Sequence, residues 1–113
     1  MIKIRIMYWK EIPVQIEFST SSIKKSVKLD ERFQFAVDSL SMKDGSYGSD
    51  DYLDGWQWKD KEEIEEEFTE KLLNEYLDRY KYPQDLIKKT TELLKSGKRD
   101  ESPGAIDDWI IGN

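Results

Sequence analysis

The stretch that decides the fold is IKIRIMYWKEIPVQIEF, residues 2–18. Ile2, Ile4, Ile6 and Tyr8 alternate with Lys3, Arg5, Met7 and Trp9, the period of two that sends every second side chain to one face of a half-buried strand. Past the interruption from Lys10 to Pro13, Val14, Ile16 and Phe18 alternate with Gln15 and Glu17, so a second strand follows closely. Pro13 has no N–H to give to a ladder, which places it at the strand's first residue or on an edge. A connection this short joins antiparallel neighbours.

Working outward, Ser19 to Ser22 reads as a turn, and Ile23, Val27 and Leu29 share one face of a third strand over 23–29. Asp30 can cap a helix, and Phe33, Ala36, Val37 and Leu40 recur at i, i+3, i+4 and i+7, which predicts a helix over 30–43. Gly45 and Gly48 close it. Ser49 can cap a short turn holding Tyr52 and Leu53, and Trp56 and Trp58 then straddle Gln57 in a fourth strand or an ordered loop. From Asp60 to Glu70 seven acids stand against the single base Lys61, while Ile64, Phe68, Leu72, Leu73, Tyr76 and Tyr80 keep a helical period. The spacing predicts one acidic amphipathic helix ended by Pro83. Pro83 then opens the next helix at its first position, with Leu86, Ile87, Thr90, Leu93 and Leu94 as its buried stripe and Ser96 and Gly97 as its stop. The expected fold is α+β: a small antiparallel sheet of three or four strands, one packed helix and a C-terminal helical pair. It occupies one domain over 1–97, followed by a polar linker and a short acidic-aromatic tail over 98–113 that docks on its own domain or on a partner.

At 113 residues, with hydrophobic and charged residues each 37%, the chain fits one domain with a modest core and an extended charged surface. It has no cysteine and no histidine, which removes Cys/His zinc sites, thiol nucleophiles, Ser-His-Asp triads, thiolate-held iron–sulfur clusters and disulfides. The net charge of −6 works against a phosphate backbone or an anionic membrane. Six bases and two acids give residues 1–29 a charge of +4, leaving −10 for the rest, so a basic sheet beside acidic helices is expected. Charges interrupt the N-terminal strand, and no run nears the ~18 apolar residues of a membrane span. The expectation is a cytoplasmic protein with no nucleic-acid or membrane partner.

Chemistry-bearing patterns are sparse. Asp44, Asp50, Asp51, Asp54 and Asp60 surround glycines, yet a calcium-loop register begun at Asp50 puts Tyr52 at the third position and Lys61 at the last. Solvated, helix-capping aspartates are the better reading. Carboxylate pairs such as Glu11 with Glu17 need a cleft that drives their pKa values apart, and neither a P-loop nor a G-x-G-x-x-G is present. No catalytic residue, metal ligand or cofactor is assigned, and the reading leans away from an enzyme. Aromatics are in excess, with four Trp and six Tyr suited to a core edge or an interface. If Ile2, Ile4 and Ile6 face inward, Met7 and Trp9 form an apolar pair on the opposite face, which calls for a partner or another cover.

The run Tyr8-Trp9-Lys10-Glu11-Ile12-Pro13-Val14-Gln15, followed by Arg32-Phe33, Ala36-Val37, Met42, Asp51-Tyr52-Leu53 and Trp56, resembles a family of small bacterial proteins named virulence factor. That family looks like a standalone alphaproteobacterial type, with a related domain in conserved virulence factor C proteins. The resemblance covers about residues 2 to 58. It implies a proline near the start of the first helix, where this chain has Asp30, and it leaves the acid-rich segment and the tail as features of this member. It implies an accessory role and no catalytic residue. On the residues themselves, Pro13 forces Ile12 extended, Glu11 is presented at the connection, and Arg32 is placed to reach it. Trp9, Glu11, Pro13, Arg32, Tyr52 and Trp56, with Trp109 of the tail, are the candidate binding residues, as one surface or one structural corner. The leading function is a noncatalytic accessory or protein-interaction module. The alternative is a small-molecule-binding protein or enzyme subunit with an aromatic pocket around Trp56 and Trp58, for which the resemblance implies one-carbon methyl transfer.

Overall fold

The computed structural model describes residues 1–111. The alternating segments form β1 (Ile2–Trp9) and β2 (Ile12–Ser19), paired antiparallel with Ile4 opposite Phe18 and Ile6 opposite Ile16. Directly opposed residues share a face, so the apolar sets of both strands merge into one surface. β3 (Lys24–Lys28) adds to the outer edge of β2 with Val27 opposite Ile16. The free edge of β1 is taken by β4 (Trp56–Ile64), giving a four-stranded antiparallel sheet in the order β3-β2-β1-β4.

Helices gather on the apolar face of that sheet. α1 (Arg32–Asp44) buries Phe33, Ala36, Val37 and Leu40, the stripe expected from its period, and ends at Gly45 with φ 83°. α2 (Asp50–Asp54) is one short turn, α3 (Glu70–Leu77) contributes Leu73 and Tyr76, and α4 (Leu86–Ser96) contributes Leu86 and Thr90 before Gly97 stops it. α5 (Asp107–Ile110) follows. Ile2, Ile4, Ile6, Ile16 and Phe18 meet these helices in one core, and the architecture is α+β. Among the described residues no helix is long and apolar enough to cross a membrane.

The acidic segment corrects the helix expected from Asp60 to Tyr80. Residues 56–64 are strand, and only Glu70–Leu77 is helical. β1 lies in the middle of the sheet and needs partners for its backbone groups on both sides, a requirement that local spacing does not reveal. Ile64 pairs with Ile2, and Phe68 sits 5.9 Å from the Phe18 ring, so the residues that mimicked a helical stripe serve the sheet instead. The helix begins at Thr69, whose hydroxyl accepts the Leu72 N–H at 3.1 Å. Asp60, Glu62 and Glu63 therefore belong to the sheet, and the expected split into basic sheet and acidic helices does not hold. Two helix starts also move. Asp30 accepts the Arg32 N–H from outside α1 at 3.0 Å, and Pro83 lies in the connection before α4, its carbonyl accepting from Leu86.

The segment after Gly97 folds back over the sheet. Ile106 and Ile110 enter the core, Tyr80 and Ile111 form an isolated antiparallel bridge, and the Tyr8 hydroxyl donates to Asp107 at 2.8 Å. Gly112 and Asn113, the end of the expected tail, lie outside the described residues.

The placement of Thr69 is testable by sign. As an N-cap, Thr69→Ala costs about 1 kcal/mol in denaturant unfolding of the full chain, whereas inside a continuous helix the same change would stabilise, since alanine is the better helix former.

Candidate functional site

β1 ends at Trp9 and β2 begins at Ile12, so Lys10 and Glu11 are the two residues of the hairpin turn. Such turns demand positive φ, and Lys10 takes it at 49°, a region that glycine or asparagine usually fills. Its surroundings hold it there. The Lys10 N–H donates to Gly55 O at 2.8 Å, and its ammonium meets Asp44 at 3.0 Å, Asp51 at 3.0 Å and Glu101 at 2.8 Å. Glu11 turns inward and takes a forked pair from Arg99, Nε to Oε2 at 2.7 Å and Nη2 to Oε1 at 2.8 Å. The remaining Arg99 nitrogen reaches Asp44 Oδ2 at 2.8 Å, and Asp44 Oδ1 accepts both the N–H and the hydroxyl of Ser46. The side chains of Lys10, Glu11, Asp44 and Arg99 are 9%, 1%, 6% and 5% exposed, so this is a buried charge cluster with two groups of each sign.

Trp9 packs beside the cluster. The Lys10 ammonium lies 5.0 Å and the Arg99 guanidinium 5.9 Å from its ring, within reach of cation–π attraction. The Trp9 indole N–H donates to Tyr52 O at 2.9 Å, the two rings lie 5.7 Å apart, and Trp56 meets Tyr52 edge-on at 6.1 Å. α2 thus covers Trp9, which is fully buried rather than exposed on an open sheet face. The cover comes so close that a Cβ on Gly55 would stand 2.7 Å from the indole nitrogen.

Burial alone would raise the Asp44 pKa. The hydrogen bonds from Arg99, Ser46 and Lys10 outweigh it and hold the carboxyl at about 2. Burial likewise works against charge on Lys10 and Arg99, and their carboxylate partners more than reverse it, so both are raised. Every shift here drives the group further from neutrality, the opposite of the tuning that proton transfer near neutral pH uses. Glu17 is lowered by its hydrogen bond with Arg5 at 2.6 Å, so Glu11 and Glu17 each answer to an arginine of their own.

The structure brings Trp9, Glu11, Tyr52 and Trp56 together, with Pro13 buried at the start of β2 opposite Tyr8. It does not bring Arg32, which pairs with Asp30 at 2.7 Å and stacks 4.8 Å over Tyr82. Arg99 takes the role expected of Arg32, from a segment that reads as polar linker and lies 88 residues from Glu11. Trp109 lines a different cleft, with Lys89, Glu92, Leu93 and Ser96. Of the two residues expected to line an aromatic pocket, Trp56 packs on Tyr52, while Trp58 lies under the Arg5 guanidinium at 4.3 Å. The cleft at the charge cluster, about 290 Å³, is lined by five charged residues, Lys10, Asp44, Asp51, Arg99 and Glu101, with Leu94 and Gly97, whereas small-molecule sites are lined mostly by apolar side chains. Among the described residues no group of three or more acids is arranged to hold a metal ion.

Residues 7–89 match a family model described as Virulence factor. The chain belongs to the virulence factor family. No curated protein and no solved structure matches it. The family match takes in the turn, Trp9, Asp44, Tyr52 and Trp56, and it ends before Arg99, so one cation of the cluster lies outside it.

Removing one member of a buried pair strands the other, so Arg99→Met costs this virulence factor family domain about 3–5 kcal/mol. The double variant Glu11→Leu with Arg99→Met is less destabilised than the sum of the singles, which a double-mutant cycle in urea reads directly. On the acid side, a folded Asp44 pKa below the ordinary value of 3.8 means its contribution is complete above about pH 4 and lost as pH falls toward 2. Stability measured over that range drops by on the order of 2 kcal/mol through this group, and Asp44→Asn removes that part of the slope.

Proposed function

We propose that this domain is a noncatalytic protein-interaction module that docks through the outward face of α1 and its continuation into α2. The observation that carries the reading is where the exposed large apolar residues fall. Among the described residues they are Met1, Ile23, Phe35, Met42, Tyr47, Leu53 and Trp109, and four of the seven lie between positions 35 and 53. Single exposed apolar residues are ordinary, whereas a cluster marks a contact surface. Phe35 and Met42 stand seven residues apart, two helical turns, and therefore on one face of α1. Tyr47 is exposed just past the end of the helix, its N–H donating to Ser41 O at 3.1 Å and its ring 6.2 Å from Tyr52. Leu53, 66% exposed, follows Tyr52 on α2.

In this reading Trp9, Glu11 and Trp56 do not touch the partner. Trp9 and Trp56 fix Tyr52 and α2 from beneath, so the contact surface is ordered before binding and little entropy is lost there on association. A noncatalytic role is supported by the cluster's charges, which are mutually satisfied and held far from neutrality. The absence of cysteine is compatible with a reducing cytoplasm, and the net charge of −6 favours a protein partner over nucleic acid or membrane.

The test is the triple variant Phe35→Ser, Met42→Ser, Leu53→Ser. Each site is exposed, so each change shifts stability by no more than about 0.5 kcal/mol and the melting temperature stays close to that of the parent. Native mass spectrometry of the tagged chain isolated gently from its own cells should show a stoichiometric protein partner, absent from the variant. A partner retained by the folded variant, or a bare chain carrying a reproducible small mass, overturns the proposal.

A further inference from the structure

We infer that the segment bound by the α1–α2 face is basic and amphipathic, with apolar side chains for Phe35, Met42, Tyr47 and Leu53 and lysine or arginine along its margins. This rests on the interaction role proposed above and adds the chemistry of the partner. The charge bordering the apolar residues decides it. Glu31, Asp38, Asp50 and Asp54 make no ion pair among the described residues. Asp44 is paired with Arg99 and Lys10, Asp51 with Lys10, and Arg32 with Asp30. The remaining base of these elements, Lys43, is directed toward α4, where it donates to the Thr91 hydroxyl at 3.2 Å. Four unpaired acids against one base leave the apolar surface inside a negative field.

Helix requirements do not account for all of these acids. Asp54 stands at the C-terminal end of α2, where the backbone dipole disfavours a carboxylate. The same field selects among occupants. A phosphate backbone or an anionic lipid surface is repelled. A second copy of this chain, paired about a two-fold axis, would set the same acids face to face, and like charges at an interface cost affinity. A basic partner gains on both counts, through apolar burial at the centre and charge complementarity at the rim.

The experiment uses the full chain and two labelled helical peptides of about 14 residues, one built from leucine and lysine and the other from leucine and glutamate in the same pattern. Fluorescence anisotropy should show saturable binding of the lysine peptide alone. That affinity should fall at least about tenfold between roughly 0.05 and 0.3 M salt, and by a similar factor in the variant Asp38→Asn, Asp50→Asn, Asp54→Asn. It should be lost in Phe35→Ser, Met42→Ser, Leu53→Ser. Equal binding of both peptides, binding of neither, or binding of the lysine peptide untouched by the apolar variant overturns the inference. So does a concentration-dependent dimer in sedimentation that the apolar variant abolishes, which would name a second copy as the occupant. If the cellular partner is lost from the apolar variant while neither peptide binds, the interaction role stands and the basic partner falls. If the variant keeps its cellular partner, the interaction role itself has failed.

Discussion

The forked pair between Glu11 and Arg99 is the constraint on which the rest of the structure depends. A carboxylate with 1% of its surface exposed is costly to bury without hydrogen-bond partners for both oxygens, and Arg99 supplies them at 2.7 and 2.8 Å. Because Arg99 also holds Asp44, and Asp44 also holds Lys10, one set of bonds ties the β1–β2 turn, the end of α1 and the chain after α4 into a single junction. Buried ion pairs often add little net stability compared with apolar packing, because desolvating the ions cancels most of the attraction. Their consequence here is geometric. Lys10 sits at a φ that a lysine does not choose for itself, and three carboxylates and the Gly55 carbonyl keep it there.

What the sequence disclosed and what it hid divide along one physical line. The β1–β2 hairpin, the stripe of α1 and the stops at Gly45 and Gly97 follow from periodicity and backbone freedom, and all of these act over a few residues. β4 depends on an edge of β1 that lies 47 to 62 positions earlier, so its acids and the chance spacing of Ile64, Phe68 and Leu72 read as a helix. Trp9 reads as exposed because its cover, Tyr52, comes 43 residues later. For Glu11 the distant partner also prevails. Arg32 was the nearer candidate, but Asp30 lies two residues before it and closes that pair at almost no loop entropy. Arg99, in a run of polar residues, carries no local mark of burial. The family match stops before it as well, so neither periodicity nor kinship points to the residue that completes the site.

The same junction reaches the surface through α2. A helix of five residues has no stability of its own in water, so its position is set by what it packs on. Three contacts set it: the Trp9 indole on the Tyr52 carbonyl, the Lys10 ammonium on Asp51, and the close approach of Gly55 to the indole. Tyr47 leans on Tyr52 in turn. The exposed apolar residues on α2 and the preceding turn are therefore mounted on the charge cluster, and loosening the cluster would loosen them.

The sheet, by contrast, is furnished to stay alone. Its edges are β3, with three lysines in five residues, and β4, which carries Asp60, Lys61, Glu62 and Glu63, and charged edges resist pairing with another strand. Its outer face is closed by its own pairs, Arg5 with Glu17 and Arg5 over Trp58. An antiparallel sheet can leave one face in water without a cover. The α1–α2 face has neither defence: its apolar side chains stand in water, and the acids beside them lack counter-ions within the described residues. Association through the sheet would have to break pairs already made, whereas association through the helices would only complete what is missing, and that difference is why the proposed contact is placed on α1 and α2.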